Sequence, residues 1–387
     1  MTDSLQDRIL AEAKDFADRE IRPFAAVFDK NQGISRDLIG KMAERGYLAP
    51  CLPRLYGGLE LDALHYGLFT EIIGKACPST RVLLTVHCSL IGETILRWGT
   101  MEQKNRILPE LAGGRRLAAF ALTEPGTGSD AKNVQTLYRQ QGDHYHITGK
   151  KKFISLGAIA DLFLVLARGA AGEVTAFLID RNSPGISIEP MTGLLASRAA
   201  YVAAIGFSDV CVPAENVLGK EGGGFTFIVN TALDYGRYSI AWGGLAIAQE
   251  SLDVMVAYAR NRKQSGRPIH TFQLIEGIIG DGVARVEAAR SLCMHAARLR
   301  DQRHEDAVIH TTIAKYFASR AANRLASDAV QVHGGNGCYD EYPAERLFRE
   351  AKVLEIIEGT SQVLQAVIAE YGLRKFYAGP SIKSTSL

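Results

Sequence analysis

The chain has 387 residues, in which 44 lysine and arginine side chains nearly balance 42 aspartate and glutamate side chains. This length exceeds the size at which one hydrophobic core stops growing, so two or three packed domains are expected. A formal net charge of +2 argues against nucleic-acid binding through bulk electrostatics, and we expect no nucleic-acid partner.

The chain ends and the cysteines predict a cytoplasmic protein without a membrane span. Residues 1–7 are polar and acidic, and no run of about 18 apolar residues follows them. Residues 384–387 resemble a peroxisomal tripeptide only loosely, and we interpret them as a polar tail. Six widely spaced cysteines show no C-x-x-C pattern, so we expect reduced thiols and no metal site. They are Cys51, Cys77, Cys88, Cys211, Cys293 and Cys338.

Helical periodicity extends from Leu5 to about Leu117. Apolar side chains recur three or four residues apart, which predicts helices with one buried face. Examples are Ile9, Ala13, Phe16 and Ala17, followed later by Leu83, Leu84, Ile91, Ile95 and Leu96. Residues 53–58, Pro-Arg-Leu-Tyr-Gly-Gly, predict a turn between helices.

Between about Ala118 and Asn230 the apolar runs become short and β-like. Strands are predicted at residues 144–148, 162–166 and 174–179, and turns at residues 142–143, 182–185 and 222–224. The three lysines at residues 150–152 form the most basic run of the chain. We interpret them as a solvated turn.

The helical period returns after about Thr231. Leu245, Ala248, Leu252, Met255 and Ala259 share one face, and so do Ile313, Phe317, Ala321, Leu325 and Ala329. This order of helices, strands and helices predicts an α+β chain with a different kind of structure in each part. We predict an all-α domain at residues 1–118, a β domain at 119–230 and a helical bundle at 231–387.

Several glycine-rich or charged motifs occur in a fixed order. Phe-Ala-Leu-Thr-Glu-Pro-Gly-Thr-Gly-Ser-Asp occupies residues 120–130, Gly-Lys-Lys-Lys-Phe-Ile-Ser 149–155, Gln-Val-His-Gly-Gly-Asn-Gly 331–337, and Ile-Ile-Glu-Gly-Thr-Ser-Gln 356–362. Arg-Lys-Gln-Ser-Gly lies at residues 262–266, with Gln273 shortly after it. Each motif alone has a local interpretation: a tight turn at residues 123–126, core packing by Phe153 and Ile154, or a helix cap at Thr360 or Ser361.

Together these motifs resemble the acyl-CoA dehydrogenase family, from about Leu10 to Leu373. Its members are flavoproteins that oxidise acyl thioesters between the α and β carbons. The resemblance implies FAD and a fold with an N-terminal helical domain, a small middle β-barrel or sheet domain and a C-terminal four-helix bundle.

Glu358 is the predicted catalytic base. Removing the α-proton of a thioester needs a carboxylate in an apolar setting, and the apolar residues 353–357 precede Glu358. By resemblance, the glutamate in Glu-Gly-Thr-Ser-Gln takes this proton while the flavin accepts the β-hydride. Its backbone N–H and a flavin hydroxyl hold the thioester oxygen in the family.

The resemblance also implies the residues that hold FAD. They are Phe120, Leu122, Thr123, Gly128 and Ser129, then Phe153, Ile154 and Ser155, and finally Arg262, Gln273, Gln331, Gly334, Gly335, Thr360 and Gln362. Arg262 resembles an arginine that contacts the pyrophosphate across a subunit interface, which implies an obligate homotetramer. The sequence departs from the family pattern at Phe153, where tryptophan is common, at Leu156 in place of asparagine and at Ser265 in place of phenylalanine.

Substrate contacts are implied for Ser129, Asp234, Arg237 and Gly359. A helix-surface ion pair between Asp234 and Arg237, three residues apart, is the alternative for those two. His87 and Cys88 match positions that line the acyl pocket in the family, and their polarity favours a short or functionalised acyl group; buried packing is their alternative.

We therefore predict an FAD-dependent acyl-CoA dehydrogenase of fatty acid metabolism that acts on a short or functionalised acyl group. An electron-transfer flavoprotein or oxygen is its expected electron acceptor. One alternative is a dehydrogenase for a short hydroxylated acyl group on an acyl carrier protein, in specialised, polyketide-type metabolism. The unusual residues 195–200, Leu-Ala-Ser-Arg-Ala-Ala, keep that branch open. A flavin monooxygenase or a non-catalytic relative is the alternative of another class, and the presence of Glu358 argues against it.

Overall fold

A computed structural model describes residues 4–376 of the chain, so the predicted tail at residues 384–387 lies outside the described residues. Helices come first, a sheet follows, and longer helices complete the fold. The first group consists of α1 (Leu5–Phe16), α2 (Ala25–Asn31), α3 (Arg36–Glu44), α4 (Ala63–Ala76), α5 (Pro78–Leu83), α6 (Glu93–Trp98) and α7 (Met101–Ala112). Within residues 4–376 no helix has the length and apolar character needed to cross a membrane.

The predicted helical faces of this first part are confirmed. Helix α1 begins at a capping box, in which Ser4 and Asp7 satisfy each other's backbone N–H groups, and it buries Ala13 and Phe16. Helices α5 and α6 are joined by a fully buried π-helical segment, Leu84–Gly92, so they form one continuous helical run. The predicted turn at residues 53–58 contains a single 3-10 turn, Arg54–Tyr56.

The middle part is one sheet. Its strands are β1 (Ala118–Ala121), β2 (Leu137–Gln141), β3 (His144–Ile154), β4 (Leu162–Arg168), β5 (Val174–Asp180), β6 (Ile186–Pro190), β7 (Ala203–Pro213) and β8 (Val217–Leu218). The order is β6-β7-β3-β2-β4-β5-β8, and β1 pairs in parallel with β4. The three predicted strands are confirmed as parts of β3, β4 and β5.

The lysine run at residues 150–152 is not a solvated turn. All three residues belong to β3, where side chains alternate between the two faces of the sheet. Lys150 is exposed, whereas Lys151 is fully buried and forms an ion pair of 2.7 Å with Glu124. Because the three residues are all lysines, the sequence did not show that their side chains alternate between exposed and buried positions.

The last part is built around three long helices. It comprises α8 (Asn230–Asn261), a hairpin of β9 (Lys263–Gln264) and β10 (Arg267–Pro268), α9 (Gln273–Asp301), α10 (Ala307–His333), α11 (Pro343–Leu354) and α12 (Ser361–Phe376). The predicted face of α8 is buried throughout. On α10 the predicted residues Ala321, Leu325 and Ala329 are buried, and Ile313 and Phe317 are half-buried. The buried face is wider than predicted at its start, where it also includes Ala314, Lys315 and Ala318. The α+β fold with a helical C-terminal bundle is confirmed.

Candidate active site

Glu358 lies in the turn between α11 and α12, where two consecutive residues adopt left-handed backbone conformations. The φ angle is +55° at Glu358 and +95° at Gly359. Such a conformation costs a non-glycine residue roughly 1–2 kcal/mol, so neighbouring contacts must stabilise the turn. Thr360 accepts a hydrogen bond of 3.2 Å from the Val363 N–H, which confirms the predicted helix cap. The turn directs the Glu358 side chain inward.

Glu358 is half-buried, and its carboxylate lies against α8 and the π-helical segment. Its Oε2 atom is buried and has no hydrogen-bond partner among the described residues. A Cβ atom built on Gly236 would lie 2.5 Å from Oε2 of Glu358 and 2.7 Å from Cδ2 of Leu90. Gly236 and Leu90 therefore lie next to the carboxylate. Burial raises the pKa of Glu358 to about 7, although Arg237, Lys315 and Arg81 each lower it. An unpartnered carboxylate with this pKa is suited to accept a proton near neutral pH.

Two cations hold the backbone of this turn. Arg237 donates from Nε to the Glu358 carbonyl at 3.0 Å, and Lys315 donates from Nζ to the Gly359 carbonyl at 2.7 Å. Lys315 is fully buried, and this burial lowers the pKa of Lys315 to about 8. Both cations bond carbonyl groups, so the carboxylate itself stays free.

Asp234 does not pair with Arg237. Its carboxylate forms a two-fold ion pair with Arg300, with both nitrogen–oxygen distances at 2.9 Å. The predicted helix-surface pair is therefore wrong, because Arg237 points toward the Glu358 turn instead. Asp234 lies near the site through α8, but its carboxylate is already occupied.

The loop after β1 has a buried ionic anchor. Lys151 donates from Nζ to the Leu122 carbonyl at 3.1 Å and to Glu124, whose carboxylate also accepts the Thr136 N–H at 2.8 Å. The Lys152 N–H donates to the Thr123 carbonyl at 2.9 Å. The backbone of Leu122 and Thr123 is thus fixed against β3.

An exposed aromatic ring lies beside this loop. Phe153 is 53% exposed at a φ of +58°, while Ile154 is buried and Ser155 half-buried. Core packing is therefore confirmed for Ile154 and wrong for Phe153. Cβ atoms built on Gly126 and Gly128 would meet no atom within 4 Å. An exposed ring next to an open, anchored backbone fits a planar cofactor whose polar edge needs N–H donors.

The remaining predicted FAD residues lie in four other places. Phe120 is half-buried on β1, Ser129 is exposed beyond the glycine loop, and Gln362 is exposed in the first turn of α12. The last group is exposed around the ends of α8, α9 and α10: Arg262, Gln273, Gln331, Gly334 and Gly335. Within residues 4–376 no hydrogen bond connects this last group to the loop after β1.

His87 is a packing residue. Its Nδ1 accepts the Ala118 N–H at 3.2 Å, so Nε2 carries the proton and donates to the Leu111 carbonyl at 2.9 Å. Both ring nitrogens are therefore used by the backbone. Cys88 is buried with its Sγ atom 2.9 Å from that of Cys51. Both are free thiols, as predicted for all six cysteines.

Three residues of the site were missed by sequence reasoning. Gly236 and Lys315 contact the Glu358 turn, and Arg81 is fully buried nearby. Lys315 lies among the small residues Ala314 and Ala318, and a lysine within such a run is the signal that could have identified it. Gly236 gave no signal, because glycine within a helical pattern does not reveal its neighbours.

The three-part fold, with an anchored loop and an exposed aromatic beside the sheet, is that of an FAD-dependent oxidoreductase. Models of the acyl-CoA dehydrogenase N-terminal, middle and C-terminal domains match residues 3–115, 119–210 and 222–373. The chain belongs to the acyl-CoA dehydrogenase family.

Curated relatives and solved structures match almost the whole chain. An acyl-CoA dehydrogenase of Bacillus subtilis is 38% identical, covering 92% of this chain and 95% of its own. The short-chain specific enzyme of Clostridium acetobutylicum is 37% identical, with coverages of 94% and 97%.

Among solved structures, butyryl-CoA dehydrogenase from Megasphaera elsdenii is 34% identical with a TM-score of 0.92, covering 97% of this chain and 100% of its own. A prolyl acyl carrier protein oxidase is 29% identical with a TM-score of 0.89 and coverages of 96% and 99%. A glutaryl-CoA dehydrogenase from Mycobacterium smegmatis in complex with FADH2 is 26% identical, with a TM-score of 0.91 and coverages of 97% and 96%.

Proposed function

We propose that this chain oxidises a short acyl thioester between its α and β carbons, with Glu358 as the base. The observation that carries the proposal is the buried, unpartnered Oε2 atom of Glu358. A buried carboxylate without a partner is costly for folding, and a proton from a substrate would neutralise it. FAD, when bound, supplies the acceptor for the hydride that leaves the β-carbon.

The residues of this chain that would hold FAD surround the exposed Phe153 ring. The anchored backbone of Leu122 and Thr123 would face the polar edge of the flavin, and Ser155 would approach the ring. Gly128 and Ser129 leave open space beside it. Thr360 and Gln362 would complete this side from the first turn of α12.

The backbone at the base has a free donor. Among the described residues, the N–H of Glu358 has no hydrogen-bond acceptor, whereas its carbonyl is held by Arg237. An N–H fixed in this way would stabilise the negative charge that develops on the thioester oxygen as the α-proton leaves. Gly359 and Arg237 would therefore act by holding the turn, next to the substrate.

Short acyl groups are favoured by the polar surroundings of the base. Ser89 and Thr85 of the π-helical segment and Ser239 of α8 are buried, whereas a long fatty chain would need apolar surface. The similarity to a short-chain specific enzyme and to a butyryl-CoA dehydrogenase supports this choice. The similarity to an oxidase of an acyl carrier protein favours a second candidate, the same oxidation on a carrier-bound short acyl group.

A second copy of the chain would complete the FAD site. Arg262, Gln273, Gln331, Gly334 and Gly335 would close over the adenosine half of an FAD shared with a second copy, in a homotetramer. Arg262 offers a guanidinium suited to a pyrophosphate.

An electron-transfer flavoprotein would take the electrons. The support for this choice is a solved structure described as that of an electron transferring flavoprotein, which matches this chain at 37% identity.

Anaerobic bleaching of the flavin tests the proposal. The FAD-loaded protein is mixed with short, long and hydroxylated acyl thioesters, on CoA and on carrier protein. We expect Glu358→Gln to retain FAD but bleach roughly 100- to 10,000-fold more slowly, the usual contribution of a general base. Glu355→Gln, in the same turn but ion-paired with Lys352, is the matched control. Full bleaching by Glu358→Gln would exclude the proposed role.

A second variant separates cofactor binding from chemistry. Arg262→Ala should lose FAD during gel filtration before it loses the bleaching rate of the FAD that remains. If Arg262→Ala retained FAD as the unaltered protein does, the shared-cofactor part of the proposal would fail.

A further inference from the structure

A small cavity lies where α2, the loop between β6 and β7, and α11 meet. Its volume is about 180 Å³, below the roughly 300–1,000 Å³ of pockets that hold drug-sized molecules, so it suits a small ion. Four cationic side chains line it, namely Lys30, Arg198, Arg346 and Arg349, against three carboxylates. The lining therefore has an excess of one positive charge.

The three carboxylates of the lining already have cations. Arg349 donates two hydrogen bonds to Asp29, at 2.8 and 3.1 Å, and two to Glu345, at 2.7 and 2.9 Å. Lys30 forms an ion pair of 2.8 Å with Asp340. Two of the four cations thus occupy all three carboxylates, and the other two arginines must find acceptors elsewhere.

Arg198 and Arg346 keep unused hydrogen-bond donors. The Nε atom of each is buried and has no hydrogen-bond partner among residues 4–376. Arg198 approaches Asp29 only to a nitrogen–oxygen distance of 3.5 Å, longer than an ordinary hydrogen bond. Arg346 has no carboxylate within 4 Å in the described part of the chain. A buried donor without an acceptor carries its full desolvation cost, which a ligand with acceptor oxygens would remove.

The unusual loop that carries Arg198 is fixed to α11. The N–H of Ser197 donates to the Glu350 carboxylate on that helix at 3.1 Å. The Leu195 carbonyl accepts a hydrogen bond of 3.2 Å from Arg349, also on α11. These contacts hold the guanidinium groups of the loop and of the helix around one cavity. Like charges held in this way repel each other unless an anion lies between them.

We propose that Arg198 and Arg346 bind a phosphate group in this cavity. A phosphate group offers at least three acceptor oxygens, so it can accept hydrogen bonds from two guanidinium groups at once. A carboxylate has two oxygens, which match the fork of a single arginine. The negative charge of the phosphate would also offset the excess positive charge of the lining. Inorganic phosphate and a phosphate monoester share this chemistry, and neither needs a reaction at Glu358 in order to bind.

Titration of the FAD-loaded protein with inorganic phosphate tests this site. Sodium chloride keeps the ionic strength constant, calorimetry measures the dissociation constant, and thermal scans measure the unfolding temperature. We expect one saturable site per chain and an unfolding temperature that rises with the phosphate concentration. Arg346→Met and Arg198→Met should each raise the dissociation constant roughly 10- to 100-fold, as the loss of a charged hydrogen-bond donor implies. Arg139→Met, which removes an exposed arginine ion-paired with Asp209 on the sheet, should leave it unchanged.

The unfolding temperature separates a binding role from a structural one. Without phosphate, Arg346→Met should unfold no earlier than the original protein, because no ion pair with a described carboxylate is lost. With phosphate, only the original protein should gain stability. If Arg346→Met unfolded earlier by the same amount under both conditions, the inference would be overturned, and Arg346 would be a packing residue. Should Arg346→Met not fold, the dissociation constant of Arg198→Met decides.

Two further titrations define the ligand. Tighter binding of glycerol 3-phosphate than of inorganic phosphate supports the site and assigns it to a monoester, and weaker binding supports it and assigns it to the free ion. If neither compound gave saturable heat, or if the original protein and both arginine variants bound phosphate equally, the inference would be overturned. Acetate that binds as tightly as phosphate would also overturn it, because a carboxylate would then serve equally well.

Discussion

The Glu358 carboxylate occupies the space that a side chain at Gly236 would fill. A Cβ atom at residue 236 would lie 2.5 Å from Oε2 and 2.8 Å from Cδ of Glu358, closer than non-bonded atoms approach. Leu90 closes the other side at 2.7 Å from the same Cβ position. The glycine in α8 is therefore what allows the carboxylate to enter the interface between α8 and the π-helical segment.

Gly236→Ala should displace the carboxylate while leaving the cofactor in place. A shift of about 1 Å in a catalytic group can cost roughly 100-fold in rate, so we expect bleaching by a short acyl thioester to fall by about that factor. FAD content is measured in parallel from the flavin absorbance. Gly277→Ala on α9, where a Cβ would meet nothing within 4 Å, is the matched control. A Gly236→Ala protein that bleaches at the original rate would contradict this account of the site.

The reaction should require the deprotonated form of Glu358. Because burial raises the pKa of Glu358 to about 7, the carboxyl is protonated below that pH and cannot accept the α-proton. We expect the second-order rate of bleaching to rise about tenfold per pH unit below about 7 and then to level off. A rate that stays constant between pH 5 and pH 8 would mean that another group takes the proton.

Lys315 should set the position of this pH profile. Its positive charge lowers the pKa of Glu358, and its Nζ atom holds the Gly359 carbonyl at 2.7 Å. Replacing it in Lys315→Met keeps the length of the side chain but removes the charge, so the rising limb should move to higher pH. The exposed Arg324→Met on the same helix serves as control. An unmoved limb, with only a lower maximal rate, would show that Lys315 acts on the turn geometry alone.

In its charged form, Glu358 should lower the free energy of unfolding of the protein. A raised carboxyl pKa means that the folded state holds the proton more tightly than the unfolded state. The stabilisation that this proton gives the folded state is fully present below the ordinary carboxyl pKa of 4.5. It is lost as the pH rises from 4.5 to about 7. Glu358→Gln, which cannot ionise, should therefore unfold at a higher temperature than the original protein at pH 8, by roughly 1–3 °C, with no gain near pH 4.5.

Calorimetric scans at the two pH values check this expectation. Glu355→Gln provides the control, because that carboxylate is paired with Lys352 rather than isolated. If Glu358→Gln gained nothing at pH 8, or gained equally at both pH values, the carboxylate would not carry the burial cost described here.

The sequence predicted the order of the three parts because their periodicities differ. Helical stretches repeat every three or four residues and the strands are short apolar runs, so the change near Ala118 and the return near Thr231 could be located. The ordered motifs also pointed to Glu358. What the pattern could not supply was the partner of each buried charge, because partners come from distant elements that only the folded chain brings together.

Arg81 and Asp234 illustrate this limit. Asp234 has an arginine three residues away, yet its partner Arg300 lies 66 residues further along the chain. Arg81 follows Ser-Thr in a helix and resembles any surface arginine in sequence, but the glycine at residue 243 lets it lie inside the bundle. Local spacing predicts local pairs, and both of these residues are placed by tertiary packing.

Lys151 and the adjacent Lys150 lie in opposite environments. Lys151 is buried and pairs with Glu124, whereas Lys150 is exposed on the opposite face of β3. Lys151→Met would leave the buried Glu124 carboxylate without its cation, which costs roughly 3–5 kcal/mol and releases the Leu122 carbonyl. Because the Leu122–Thr123 backbone lies at the proposed flavin edge, FAD should dissociate more readily.

Titrating the FAD-free protein with FAD, followed by flavin fluorescence, measures that effect for Lys151→Met and for the neighbouring Lys150→Met. We expect the dissociation constant to rise at least tenfold for the first variant and to stay within twofold for the second, since exposed charges contribute little. Glu124→Gln should lie between them, because the glutamine can still accept from Lys151 and from the Thr136 N–H. Of the two lysines, only Lys151 donates both to the Leu122 carbonyl and to the Glu124 carboxylate. Equal FAD affinities for the two lysine variants would therefore mean that the buried ion pair stabilises the sheet without fixing the loop.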